Sequence, residues 1–138
     1  MIQRILAAYD GSEPAKKAFD AAVEVAERFN ASLLVLAVAR PSEPAEDVET
    51  EAILENAKEH FEADFASMRA KTGSLATAPR FEVKVGHPVE QIMSTAEEEE
   101  IDLILMGHRG KTFLQRWIMG SVSKQVMNYA HCAVMVVR

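Results

Sequence analysis

Apolar and polar positions along this chain switch repeatedly between a period near two and a period near three and a half. Residues 2–9 (IQRILAAY) are mostly apolar, the pattern of a buried strand, and Asp10-Gly11-Ser12 follows as a turn. Ser12 opens a helix with Glu13 and Pro14 in its first turn. The apolar positions of that helix, Ala15, Ala18, Phe19, Ala22, Val23, Ala26 and Phe29, recur at three and four, so one face is buried. Residues 32–38 (SLLVLAV) form a continuous apolar run of the kind found inside parallel sheets. Two prolines within 40–45 make a loop, and residues 46–71 predict a long helix with Val48, Ala52, Ile53, Ala57, Phe61, Phe65 and Met68 along one stripe. Residues 81–85 (FEVKV) alternate, which places them in a strand at a sheet edge. Gly86-His87-Pro88 opens a third helix with Val89, Ile92, Met93 and Ala96 inward. Residues 101–106 (IDLILM) form a central fourth strand, 121–130 a fourth helix and 132–137 (CAVMVV) a fifth strand.

Five strands joined by helical crossovers imply a doubly wound α/β fold, a five-stranded parallel sheet sandwiched by four helices, because each right-handed crossover must return beside its strand. Ligands in such sheets bind beyond the carboxyl ends of the strands where the strand order reverses. The turns richest in special residues are Asp10-Gly11-Ser12 after the first strand and the segment 107–121 after the fourth. If those two strands are neighbours, both turns meet at one crevice.

Composition narrows the class. A chain of 138 residues, 49% hydrophobic and 26% charged, is expected to fold as one domain over residues 1–138. Its longest apolar stretches fall short of the roughly 20 residues a bilayer span needs, and no cleavable signal is evident, so a cytoplasmic location and no membrane partner are expected. The single cysteine, Cys132, excludes an internal disulfide and reads as a small buried hydrophobe. All 21 acidic residues lie in the first 102 positions, whereas 103–138 carry Arg109, Lys111, Arg116, Lys124 and Arg138 without an acid. The overall charge of −6 argues against nucleic-acid binding, yet a local basic island can attract a small anion.

That island contains Gly110-Lys111-Thr112, which invites comparison with a phosphate-binding P-loop. A P-loop would require glycine at position 105, where Leu105 stands, and the Gly-x-Gly-x-x-Gly of dinucleotide folds is also missing. What the stretch does contain is Gly107, two residues, Gly110, nine residues, then Gly120-Ser121. With Asp10-Gly11-Ser12 after the first strand, Gly86-His87-Pro88 before the third helix, and Val122-Ser123 following Gly120-Ser121, the chain resembles the universal stress protein family in its ATP-binding branch. The resemblance spans essentially the whole chain. It implies strand order 3-2-1-4-5, an adenine nucleotide alpha hydrolase-like arrangement, and ATP as ligand, with Mg or Mn arriving through the phosphates.

Residue by residue, the resemblance implies that Asp10 contacts the nucleoside with the Ala8 backbone close by, and that Val38 presents its backbone to the adenine edge. Met106 and Gly107 would lie against the ribose, Arg109, Gly110 and Lys111 along the phosphates, and Gly120, Ser121, Val122 and Ser123 around the terminal phosphates. Physical chemistry is consistent with this: glycines let backbone N–H groups approach phosphate closely. A helix start free of acids is an anion site, where Ser121 and Ser123 can add hydroxyl donors. Each position also has a plainer role. Asp10 can cap its turn through an Asx bond, Gly107 and Gly110 can serve backbone geometry alone, and Ser121 can cap its helix. The stripe Phe113, Leu114, Trp117 and Ile118 fits packing against the body or a lid over the nucleotide.

His60 reads as solvated, and His87, His108 and His131 lack metal-ligand spacing with one another or with Cys132. The loop supplies cations without an obvious base, so a regulatory nucleotide-binding module contacting an unknown protein partner is expected rather than an enzyme. The alternatives are slow ATP hydrolysis or self-phosphorylation at Ser121 or Ser123, and a nucleotide-free interaction module. The last strand, with no charge before Arg138, would be an aggregation hazard at a sheet margin unless paired, so a homodimer through Ala133 to Val137 is expected, as the family resemblance also implies.

Overall fold

The computed structural model describes residues 2–41, 47–109 and 120–138, without the side chains of 47–49. Apolar runs and amphipathic stretches take the forms their periods dictate. The order is β1 (Arg4–Tyr9), α1 (Glu13–Phe29), β2 (Ser32–Ala39), α2 (Asp47–Arg69), β3 (Arg80–Val85), α3 (Pro88–Glu98), β4 (Leu103–Gly107), α4 (Ser121–Tyr129) and β5 (Ala133–Val137). The five strands form one sheet in the order β3-β2-β1-β4-β5, every pair parallel. β1 lies between β2 (Ala8↔Leu36) and β4 (Leu6↔Ile104), so Asp10-Gly11-Ser12 and residues 107–109 follow neighbouring strands.

Strand side chains alternate between two apolar layers. Ile5, Ala7, Tyr9, Leu33, Val35, Ala37, Leu103 and Leu105 pack beneath α1 and the carboxyl-terminal half of α2. Leu6, Leu34, Leu36, Ile104 and Met106 pack against Val89 and Ile92 of α3 and Val126 of α4. α1 presents Ala15, Ala18, Ala22 and Ala26 to the sheet, and these small side chains let it lie close, with Phe19 as its one large buried anchor. Burying that phenyl ring contributes about 2–3 kcal/mol. Ser12 caps α1 by accepting from the Ala15 N–H at 3.2 Å, and Asn30 closes it in the left-handed conformation, φ 53°. Phe29, expected on the inner stripe, is 45% exposed, whereas Ala26 in the same last turn of α1 is buried.

The α2 stripe is realised in its second half only. Phe61, Phe65 and Met68 are buried, while Ala52 is exposed. Phe61 and Phe65 stack at 5.8 Å, Tyr9 meets Phe61 edge-on at 6.0 Å, and the Tyr9 hydroxyl donates to Asp64 at 2.6 Å. At the opposite end of the strands, the Asp102 carboxylate accepts from the Gln3 and Arg4 N–H groups at 2.7 and 2.8 Å. Those bonds hold its carboxyl below the usual carboxylate range. The two sheet margins differ. β3 alternates apolar residues with Arg80, Glu82 and Lys84, whereas β5 is AVMVV with Met135 41% exposed.

Candidate functional site

β1 and β4 are adjacent, but α1 leaves toward one face of the sheet and α4 packs on the other, so the crossover direction reverses between them. Such a reversal opens a crevice at the carboxyl ends of the strands, because no connecting helix can cover the gap. Here it is a cleft of about 260 Å³. Ala8, Asp10, Val38, Met106, Gly107, Arg109, Gly120, Ser121, Val122 and Ser123 all line it. The remaining candidates, Gly110 and Lys111, lie outside the described residues, as does the stripe from Phe113 to Ile118.

The cleft has two chemically distinct ends. Ala8, Val38 and Met106 project on the α3/α4 side of the sheet. They build an apolar wall that Leu36, Pro88 and Ile92 extend. The sequence reading missed those three, although Leu36 shares the parity of Val38 along β2 and Pro88 begins the helix after a motif turn. It also missed Tyr9, Ser12, Ala15 and Arg40, which line the same cleft.

The other end is polar and made largely of backbone. Gly120 is the N-cap of α4 and offers no side chain, and no acid occupies the first turn. The Gly120 N–H donates to the His108 carbonyl at 2.7 Å, and the Gly120 carbonyl accepts from the Lys124 N–H at 3.1 Å. The intervening N–H groups of Ser121, Val122 and Ser123 open the helix, where no intrahelical acceptor exists for them. α1 also begins at the cleft but has its own acceptors. Asp10 Oδ1 accepts from the Ser12 N–H at 2.9 Å and from the Ser12 hydroxyl, which in turn accepts from Ala15. Asp10 therefore makes the Asx turn and lines the cleft at once.

Two residues carry structural tasks that the sequence reading did not separate from binding. The Ser123 side chain is buried, and its hydroxyl donates to the Gly107 carbonyl at 2.8 Å, tying the start of α4 to the end of β4. What Ser123 presents to an anion is its N–H rather than its O–H. At Gly107, a Cβ would stand 2.7 Å from Pro14 Cβ, 2.8 Å from Pro14 C and 2.9 Å from Ala15 N. Glycine there is required by the close approach of the first turn of α1. The base of the segment is tied further by the His108 N–H, which donates to Val137 at 2.8 Å. Tyr9 holds its proton well above the usual phenol range, through burial first and then its bond to the Asp64 carboxylate. Among the described residues, no three His, Cys, Asp or Glu side chains gather as a metal site.

Fold and cleft together define a doubly wound α/β protein with an anion-receptive helix start facing an apolar wall across a strand-order reversal. The whole chain, residues 1–138, matches the Universal stress protein family. It is 36% identical over 140 residues to a universal stress protein of Thermus aquaticus, with both chains fully covered. The chain belongs to this family. The universal stress protein UspA from Lactobacillus plantarum superposes with a TM-score of 0.86 at 28% identity, covering 99% of this chain and 97% of that one. Its structural neighbours have the adenine nucleotide alpha hydrolase-like fold. A universal stress protein from Archaeoglobus fulgidus, solved in complex with dAMP, shares the fold at a TM-score of 0.70 and 20% identity, covering 100% of this chain and 98% of that one. No helix among the described residues is long and apolar enough to cross a membrane.

Proposed function

We propose that this universal stress protein is a regulatory ATP-binding module of the cytoplasm whose single domain, residues 1–138, changes its protein contacts with nucleotide state. The observation that carries this reading is the cleft itself. An acid-free α4 start and Arg109 lie at one end, an apolar wall of Ala8, Val38, Met106, Leu36 and Ile92 at the other, and Asp10, in the turn after β1, between them. The donor set fits the ligand: backbone N–H groups at a helix start and a half-buried arginine suit phosphate, and apolar side chains suit a purine. Arg109 with Ser121, Val122 and Ser123 would hold the phosphates, Gly110 and Lys111 would continue along them, and Mg or Mn would arrive on the phosphate oxygens. The dAMP complex of the Archaeoglobus fulgidus protein makes an adenine nucleotide the natural first choice.

Binding rather than turnover is favoured by Ser123, whose hydroxyl is buried and committed to Gly107, leaving Ser121 as the accessible serine of this helix start. Self-association through Ala133 to Val137 is favoured by the contrast between the margins, since charges guard β3 and none guards β5. The decisive measurement is calorimetric titration of the purified protein with Mg-ATP, together with its 260-to-280 nm absorbance ratio. Saturable heat supports the proposal, and no heat at millimolar ATP overturns it. Incubation with γ-labelled ATP is expected to leave the nucleotide intact; released phosphate or labelled Ser121 would establish turnover instead.

A further inference from the structure

Arg40 follows the last residue of β2 and lines the apolar end of the cleft, on the same side as Leu36 and Val38. It is exposed, and among the described residues it makes no hydrogen bond or ion pair. The anion-receptive groups, Arg109 and the start of α4, stand beyond β4, with β1 between β4 and β2. Adjacent strands are about 4.8 Å apart, so the β2 end of the cleft is roughly 10 Å from the β4 end. A nucleotide whose phosphates reach the start of α4 therefore brings its base, not its phosphates, to Arg40. A planar guanidinium facing an aromatic ring over an apolar floor is a cation–π arrangement, and guanidinium is weakly hydrated enough to stack.

We infer that Arg40 is a base-recognition residue, its guanidinium closing over the exposed face of a purine whose other face rests on the wall formed by Pro88 and Ile92. The inference deepens the ATP-binding reading and depends on it. A stacking cation acts chiefly on the base, so at high salt, where its field at the phosphates is screened, its contribution is the same for adenosine, AMP and ATP, whereas a phosphate-binding cation contributes more as phosphates are added.

The test is calorimetric titration of the wild type and Arg40→Ala with adenosine, AMP and Mg-ATP at low and high salt, alongside the urea midpoint of each protein. Arg40 is exposed, so the midpoint is expected to be unchanged. Affinity should fall about threefold to thirtyfold, equally for all three ligands at high salt and, for adenosine, at both salt concentrations. In the wild type, the Arg40 Nε–H resonance should move upfield on adding adenosine, as a proton over a ring face does. Equal affinities of wild type and variant, a loss at high salt that grows from adenosine to ATP, or a downfield shift would each overturn the assignment. If the wild type itself binds none of the three ligands, the functional reading fails first, and the assignment falls with it.

Discussion

Gly107→Ala separates the two reasons a glycine could end β4. Adding one methyl group there brings its carbon to 2.7–2.9 Å from Pro14 Cβ, Pro14 C and Ala15 N. Carbon contacts are optimal near 3.5–4.0 Å, so roughly 0.7 Å must be found. Two of the three obstructing atoms are backbone of the first turn of α1. That helix is held by Ala18 and Ala22, both 0% exposed, and by Phe19 at 2%. It cannot retreat without opening the layer beneath it. Overpacking of this kind costs about 1–3 kcal/mol, offset by about 0.4–1 kcal/mol from the restricted unfolded chain. A net loss of about 1–2 kcal/mol lowers the melting temperature of a chain this size by roughly 3–8 °C. Urea denaturation followed by far-UV circular dichroism, run beside thermal melts, measures it. The nucleotide affinity of the folded variant should change much less than its stability. A variant as stable as the wild type would refute the packing argument. Wild-type stability combined with lost nucleotide binding would return Gly107 to the role of clearing space for the nucleotide.

The two serines of α4 should behave oppositely. Ser123→Ala strands the buried Gly107 carbonyl, costing about 1–3 kcal/mol in urea unfolding, while Ser121→Ala leaves stability unchanged and weakens ATP in calorimetry. Tyr9 keeps its proton more tightly folded than unfolded, so its contribution is complete below the unfolded value of 10.0 and is lost as pH rises above it. Urea midpoints should fall above about pH 10 less steeply in Tyr9→Phe than in the wild type. Asp102 is the reverse case: its carboxyl is lowered by the Gln3 and Arg4 N–H groups, so its contribution is present above the unfolded value of 3.8 and is lost as pH falls below it. Asp102→Asn should flatten that acid limb of the stability curve. Met135→Lys places a charge on the unguarded margin and should convert the dimer expected in sedimentation velocity to monomer; a wild-type monomer at micromolar concentration would contradict the pairing itself.

The fold was legible because each element declared its own period. Largely apolar runs marked β1, β2 and β4 as buried strands, and alternation marked β3 as a margin, where it lies. α2 was half legible: its stripe reads as one long amphipathic face, but burial is complete only at Phe61, Phe65 and Met68, and a periodic pattern does not encode where its partner surface stops. At the cleft, the spaced glycines and the turn after β1 located the crevice. The division of labour within it was not legible, because it depends on contacts across the fold. That Gly107 clears Pro14 and that Ser123 bonds Gly107 are facts about residues 93 and 16 positions apart, respectively, and no local spacing records them. Arg40 escaped notice because it stands just past a strand, beside prolines that read only as loop.

The chain's charge distribution bears on how such a cleft can function at all. A protein with net charge −6 repels a polyphosphate at long range. That repulsion is largely screened beyond about 8 Å at physiological ionic strength, so the acids of the distant surface weigh little at the cleft. Binding must therefore come from groups that act at contact. The start of α4 supplies backbone N–H groups in fixed directions, backed by a helix that carries no acid in its first turn. Such donors lose no side-chain entropy on binding, unlike exposed lysines. They are also indifferent to most substitutions along α4, so under the proposed function phosphate recognition would depend on the geometry of Gly120 and its bond to His108 rather than on any single cation.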